Sequence, residues 1–232
     1  MNKDAALDLS RIVFIGRTFE EYMAMFNLTN EDLIGSTILD CPAGACSFTA
    51  AANRLGANVT AADIAYYHDF EDLRHKGEED LEHAMTNMER AKNNYVWDYF
   101  KSVDELKMHR KQALTDCTDD MKLHPNRYVP ATLPALPFED KQFELTLSAH
   151  FLFMYADRLD FKFHVQTIQE LIRVTGQEIR IYPLINLSSE KYAHLDKLLQ
   201  FLHDQGCSTE EEPVGYEFQK GANRMLKITI NR

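Results

Sequence analysis

Several things are missing from this 232-residue sequence, and each absence excludes something. No window approaches the roughly 18 consecutive apolar residues that a membrane span requires. Met1 to Asp8 carry acids and a lone Lys3 with no apolar run behind them. A secretory signal is therefore not expected, and the chain reads as cytoplasmic and off the membrane. Lys and Arg form no cluster or stripe, and the formal net charge is −11, a field that repels a phosphate backbone. Nucleic acid is not an expected partner. The four cysteines, Cys41, Cys46, Cys117 and Cys207, contain no Cys-x-x-Cys pair, and no histidine falls in a His-Glu-x-x-His arrangement. No metal site is expected. His75 and His83 could share a helix face, but they read as an exposed pair. There is no internal repeat, low-complexity tract or Pro/Gly-rich linker, so residues 1–232 read as one domain. Nothing in the pattern speaks to oligomeric state.

What is present looks globular: 45% hydrophobic and 26% charged residues. Apolar positions recur at helical spacing over 8–26. Compact strands follow at 37–41 and 58–63, each carrying an acid at or near its end, with a helix at 47–55 between them. That run is one βαβ unit, which builds parallel sheet. From 66 to 126 the chain turns polar and helical, with segments at 72–90, 95–100 and 104–117 and no strand signal. So long a crossover reads as an insertion, either a cap over the sheet edge or active-site mouth or a solvated elaboration. Strands resume at 127–131, 143–148 and 178–183, with helices at 160–174 and 190–205. Two last strands fall at 208–214 and 224–230. Strands alternating with helices and ending in a β-pair describe an α/β sandwich of about seven strands.

The chemistry centres on 38–46, Ile-Leu-Asp-Cys-Pro-Ala-Gly-Ala-Cys. A strand runs into a turn of small residues and then into a helix. In open α/β sheets ligands sit beyond the carboxyl ends of strands, where such a turn lets ligand and backbone approach closely. The dinucleotide fingerprint needs three glycines, and only Gly44 is present. A second segment, 56–63, ends the next strand on Asp63. A third, 136–150, reads Leu-Pro-Phe-Glu-Asp-Lys-Gln-Phe-Glu-Leu-Thr-Leu-Ser-Ala-His.

Together these three segments resemble class I S-adenosylmethionine-dependent methyltransferases, over roughly 34–230 apart from the insertion. The resemblance implies a three-layer α/β/α Rossmann-like fold. Its sheet would have seven mostly parallel strands in the order 3-2-1-4-5-7-6, with strand seven antiparallel. It implies S-adenosylmethionine as cofactor, S-adenosylhomocysteine as product, and methyl transfer to an unidentified, small-molecule acceptor. Asp40, Cys41, Pro42, Ala43 and Gly44 would form the first cofactor motif, although Pro42 and Cys46 stand where glycine is more usual. Asp63, followed by Ile64, would accept from both ribose hydroxyls, though a helix cap is the plain alternative for that acid. Thr132 stands where the family has an acid near the adenine amine, and Leu133 would lie against the ring. Ser148, Ala149 and His150 end the fourth strand facing cofactor and acceptor, with His150 the candidate general base. Tyr22 and Arg17, placed on the first helix, could close over the cofactor carboxylate, although Arg17 reads first as a surface residue. Tyr66, Tyr67 and Tyr155 could line the pocket or simply pack. Two alternatives remain: a non-catalytic binding module for the same cofactor, and a nicotinamide-dependent oxidoreductase.

Overall fold

The structure, a computed structural model, describes residues 13–231. Seven strands form one sheet: β1 Thr37–Asp40, β2 Asn58–Asp63, β3 Tyr128–Pro130, β4 Phe143–Ala149, β5 Thr175–Tyr182, β6 Cys207–Pro213 and β7 Arg224–Ile230. Their order is β3-β2-β1-β4-β5-β7-β6. β7 runs antiparallel to both its neighbours, and the other pairings are parallel. Topology and strand direction are those expected.

The helices are α1 Phe19–Met25, α2 Asn30–Leu33, α3 Phe48–Arg54, α4 Phe70–Ala91, α5 Val103–Leu123, α6 Phe161–Val174 and α7 Leu195–Asp204. Right-handed crossovers put α3 on one face of the sheet and α6 and α7 on the other. Strand alternation serves both layers: Ile38 packs with Phe48 and Ala52 of α3, while Leu39 packs with Ile168 and Leu171 of α6. Along β5, Ile179 and Ile181 face α6 and α7, and Tyr182 faces the opposite cluster.

Four local expectations are corrected. The first helix, expected over 8–26, begins only at Phe19, where Thr18 and Glu21 form a capping box. Its earliest positions lie outside the described residues, and 13–18 is an irregular strap. Segment 95–100 is not helical: Tyr95 bridges Gln219, and Tyr95, Trp97 and Phe100 all meet the Phe218 ring, which an extended chain allows. β5 starts at Thr175, three residues early, because α6 runs straight into it and Gly176 masks the strand signal. The short α2, with its own Thr29–Asp32 capping box, was not expected.

The long polar segment between β2 and β3 is a helical hairpin. α4 packs antiparallel on α5, with Leu114 filling the space where a side chain on Gly77 would be. The hairpin leaves the end of β2, and its tip docks on the β6–β7 connection, where Val96 N–H donates to the Phe218 carbonyl at 2.7 Å. It therefore spans the carboxyl edge of the sheet. Among the described residues no helix is long and apolar enough to cross a membrane.

Candidate functional site

The carboxyl ends of β1, β2 and β4 converge on two adjoining hollows. The smaller, about 210 Å3, is a mostly apolar slot between Cys41, Pro42, Ile64, Leu133, Phe151 and Phe163, with Thr132 and Asp63 at its edge. The larger, about 450 Å3, opens beside it along Pro42, Ala43 and Gly44 and is closed by Ile15, Arg17 and His150. Pro42, Asp63, Ile64 and Phe151 line both, so the two make one elongated site.

Gly44 holds the turn after β1 in a left-handed conformation, φ +56°, which glycine adopts without strain. Its N–H donates to Asp63 Oδ2 at 2.8 Å, and Ala65 N–H donates to Oδ1 at 2.8 Å. Asp63 is thus both the cap of the following 3₁₀ turn and the acid at the junction of the two hollows. Each carboxylate oxygen has accepting capacity left over. The Gly44 carbonyl accepts from the Tyr66 hydroxyl at 2.8 Å. Tyr66 therefore braces the loop from behind rather than lining the cleft, and Tyr67 is exposed at 64%. Tyr155 does line it.

Three expected cofactor residues lie beneath the site rather than in its lining. Asp40, Ser148 and Tyr22 are buried in the floor. Tyr22 stacks on Phe48 and gives its hydroxyl hydrogen to Asp40 Oδ1 at 3.0 Å, which removes it from any direct role at a cofactor carboxylate. Burial pushes the Asp40 carboxyl well above the usual carboxylate range, against the Tyr22 hydrogen bond, and Asp40 Oδ2 has no partner. Cys41, Pro42, Ala43, Gly44, Asp63, Ile64, Thr132, Leu133, Ala149 and His150 all line one hollow or both.

His150 ends β4 at φ +53°, a conformation costly for a residue with a Cβ and concentrated at functional sites. Its N–H is tied to the Tyr182 carbonyl, and its ring lies against Tyr182. Nδ1 is buried without a partner. Burial, then the Arg17 and Arg110 guanidiniums, hold its pKa well below the usual imidazole value, so the ring is neutral near pH 7.

Arg17 is the residue that sequence reasoning misplaced. It sits on the strap, not on a helix or the open surface, and its Nε is buried without a partner beside the cleft. The strap lies directly on the cofactor-motif loop: a Cβ on Gly16 would stand 1.8 Å from the Ala45 carbonyl oxygen. Arg17 N–H donates to Cys46 Sγ at 3.2 Å, and Ser47 N–H donates to the Arg17 carbonyl at 3.0 Å. Phe151 opens the apolar run 151–155, which could wall an apolar substrate pocket or be buried core, and it lines both hollows; Phe163 reads only as the inner side of its helix, and Arg158 carries no expected role. Phe163 lies in the first turn of α6, where an inward aromatic is indistinguishable from core, and Arg158 sits in the turn before that helix.

Glu21 ties three elements together above this floor. Arg110 of α5 donates to both its oxygens, at 2.5 and 2.9 Å, and the Tyr216 hydroxyl to one of them at 2.6 Å. Burial alone would raise the Glu21 pKa, but the Arg110 charge and hydrogen bonds outweigh it and hold it below the usual range. The hairpin contributes Cys117 and Leu114 to the apolar packing behind Ala43 and Ala45. It buttresses the loop and lines neither hollow. Among the described residues no three His, Cys, Asp or Glu side chains gather to hold a metal.

This strand order, with the site across the tips of β1, β2 and β4, is the Rossmann-like fold of class I S-adenosylmethionine-dependent methyltransferases. Magnesium protoporphyrin IX methyltransferase from Synechocystis PCC 6803, solved with bound S-adenosylhomocysteine, superposes with a TM-score of 0.51 at 12% identity. The superposition covers 91% of this chain and 81% of that one. By sequence the chain belongs to the family of the uncharacterized protein MJ0045 of Methanocaldococcus jannaschii. The two are 40% identical over 223 residues, covering 96% of this chain and 98% of that protein. No family model matches the chain.

Proposed function

We propose that this protein is a methyltransferase that uses S-adenosylmethionine to methylate a small-molecule acceptor. The observation carrying the reading is the joined site itself: a mostly apolar slot, an acid at its mouth, and a second chamber lined by Arg17 and His150, each with a buried nitrogen without a partner. Native proteins rarely leave such atoms unsatisfied, so Arg17 Nε and His150 Nδ1 call for a ligand. The slot suits an adenine ring, with Leu133 and Phe163 as walls and Thr132 as the polar contact. Asp63 holds the ribose hydroxyls with the accepting capacity that Gly44 and Ala65 leave free. Arg17 is placed for the amino-acid carboxylate.

Bound there, the cofactor supplies a methyl group already activated on a sulfonium. The protein's own work is alignment and exclusion of water, supplied by the strap over the loop and the aromatic wall. His150, neutral and in the lining of the cleft, accepts the acceptor's proton. The unpaired cysteines accord with a reducing compartment, and we place the protein in the cytoplasm.

Calorimetric titration with S-adenosylhomocysteine tests the reading. Binding is expected, and Asp63→Asn should weaken it by about 100-fold, the loss of two charge-assisted hydrogen bonds at about 1.5 kcal/mol each. Absence of binding to the native protein would refute the cofactor assignment. Release of S-adenosylhomocysteine from the methyl donor on exposure to a metabolite library would separate an enzyme from a binding module.

A further inference from the structure

The acceptor end of the larger chamber has a charge pattern opposite to that of the molecule. The whole chain carries −11. Yet the charged side chains lining this chamber are Arg17, Arg158 and Asp63. Asp63 stands at the junction with the slot, and both its oxygens already accept from backbone N–H groups. Arg17 has a buried Nε without a partner. Arg158 lies over the Tyr155 ring, and among the described residues its ion pair is with the exposed Asp157, at 3.6 Å. A surface pair of that kind is worth little, so the guanidinium is available to a ligand.

One amino-acid carboxylate can neutralise one guanidinium. The second stays uncompensated, next to walls made of Ile15, Phe151 and Tyr155. An amine or other cation entering here would meet like charge, and among the described residues the lining offers no acid besides Asp63 to receive it. A compact acid with an apolar or aromatic body would meet a guanidinium and a ring face. Arginine and carboxylate or phosphate are matched in geometry as well as charge.

We propose that the methyl acceptor is a small anionic molecule, an acid bearing a carboxylate or phosphate on an apolar or aromatic body, held in the larger chamber against Arg158 and Tyr155, with His150 in the same lining. This rests on the cofactor reading for the assignment of the chamber's two ends, but the anion site can be probed without cofactor. Benzoate, phenyl phosphate, benzyl alcohol and benzylamine make a matched set of probes. Each is titrated into isotopically labelled protein, free and with S-adenosylhomocysteine. The readout is the His150 ring resonance, assigned by its loss in His150→Asn.

Benzoate or phenyl phosphate should give a saturable shift, and the stronger of the two names the acid. Benzyl alcohol should bind at least tenfold more weakly and benzylamine not at all. Arg158→Gln should weaken the anion about tenfold, the low end for a charge-assisted contact that is partly exposed. The proposal is overturned if neither anion gives a saturable shift, if the amine or alcohol matches the anions, or if Arg158→Gln leaves anion affinity unchanged. Failure of the cofactor reading shows separately, as no calorimetric binding of S-adenosylhomocysteine while the anion still shifts His150.

Discussion

Two acids end the first two strands side by side, and their surroundings give them opposite roles. Asp63 reaches the lining and is held by two backbone N–H groups, so it stays useful to a ligand even though burial raises its pKa. Asp40 is wholly buried, takes a hydrogen bond from Tyr22, and keeps one oxygen without a partner. Burial drives its pKa far enough up that the neutral acid is the form to consider. Asparagine is nearly isosteric with that neutral acid and still accepts from Tyr22. Asp40→Asn should therefore change stability by less than about 1 kcal/mol in urea unfolding. A charged Asp40 would instead make the substitution markedly stabilising, since it would relieve a buried unpaired charge. Both acids were visible in the sequence as strand-ending carboxylates 63 − 40 = 23 positions apart. Their different depths were not visible, because depth depends on where α1 and Tyr22 pack.

At the level of elements, the strap and the α4–α5 hairpin both press on the Pro42–Cys46 loop from outside the sheet. The strap depends on one glycine: a methyl group on Gly16 would collide with backbone at Ala45 rather than with a side chain able to move. Gly16→Ala should cost about 3 kcal/mol in urea unfolding, the upper range for overpacking, and make residues 13–18 susceptible to limited proteolysis. A variant of native stability and native cleavage pattern would show that the strap does not lie there. The hairpin depends on the buried Glu21–Arg110 pair, which joins α1, α5 and, through Tyr216, the β6–β7 connection. Arg110→Met alone should cost about 3–5 kcal/mol because it strands a buried carboxylate, and adding Glu21→Leu should recover most of that loss. The sheet was legible because compact apolar runs and strand-ending acids are local signals. The strap was not, since Ile15 stands at helical spacing from Phe19 and only the long-range contacts of Gly16 and Arg17 with Ala45 and Cys46 decide otherwise. Segment 95–100 failed for the same reason, its aromatic residues being claimed by Phe218 more than a hundred positions away.

For the molecule as a whole, the site leaves its mark on the pH dependence of folding. The loop, slot and β4 end were readable from three sequence segments, but the cations that act on His150, Arg17 on the strap and Arg110 on α5, come from remote parts of the chain. Those cations matter because burial together with Arg17 and Arg110 keeps His150 unprotonated in the folded state. In the unfolded chain the same imidazole takes up a proton below about pH 6.5. The unfolded state then binds more protons, so stability falls as pH drops from there toward the lower folded value, by up to about 1.4 kcal/mol per pH unit. Asp40 works the other way. Its folded pKa lies above the unfolded value, so its contribution is present at low pH and lost as pH rises through the folded value. Glu21, held low by Arg110, stabilises above its unfolded pKa near 4.3 and loses that contribution only in stronger acid. These overlapping limbs make the native profile ambiguous, but a difference between variants is not. Asparagine tolerates the left-handed backbone at position 150 and does not titrate. The stability of His150→Asn relative to the native protein should be flat above pH 7 and rise steadily between pH 6.5 and 5. Urea midpoints across that range measure it. A difference that stays level down to pH 5 would mean that the ring protonates in place, and that the chamber is neither as dry nor as cationic as Arg17 and Arg110 make it.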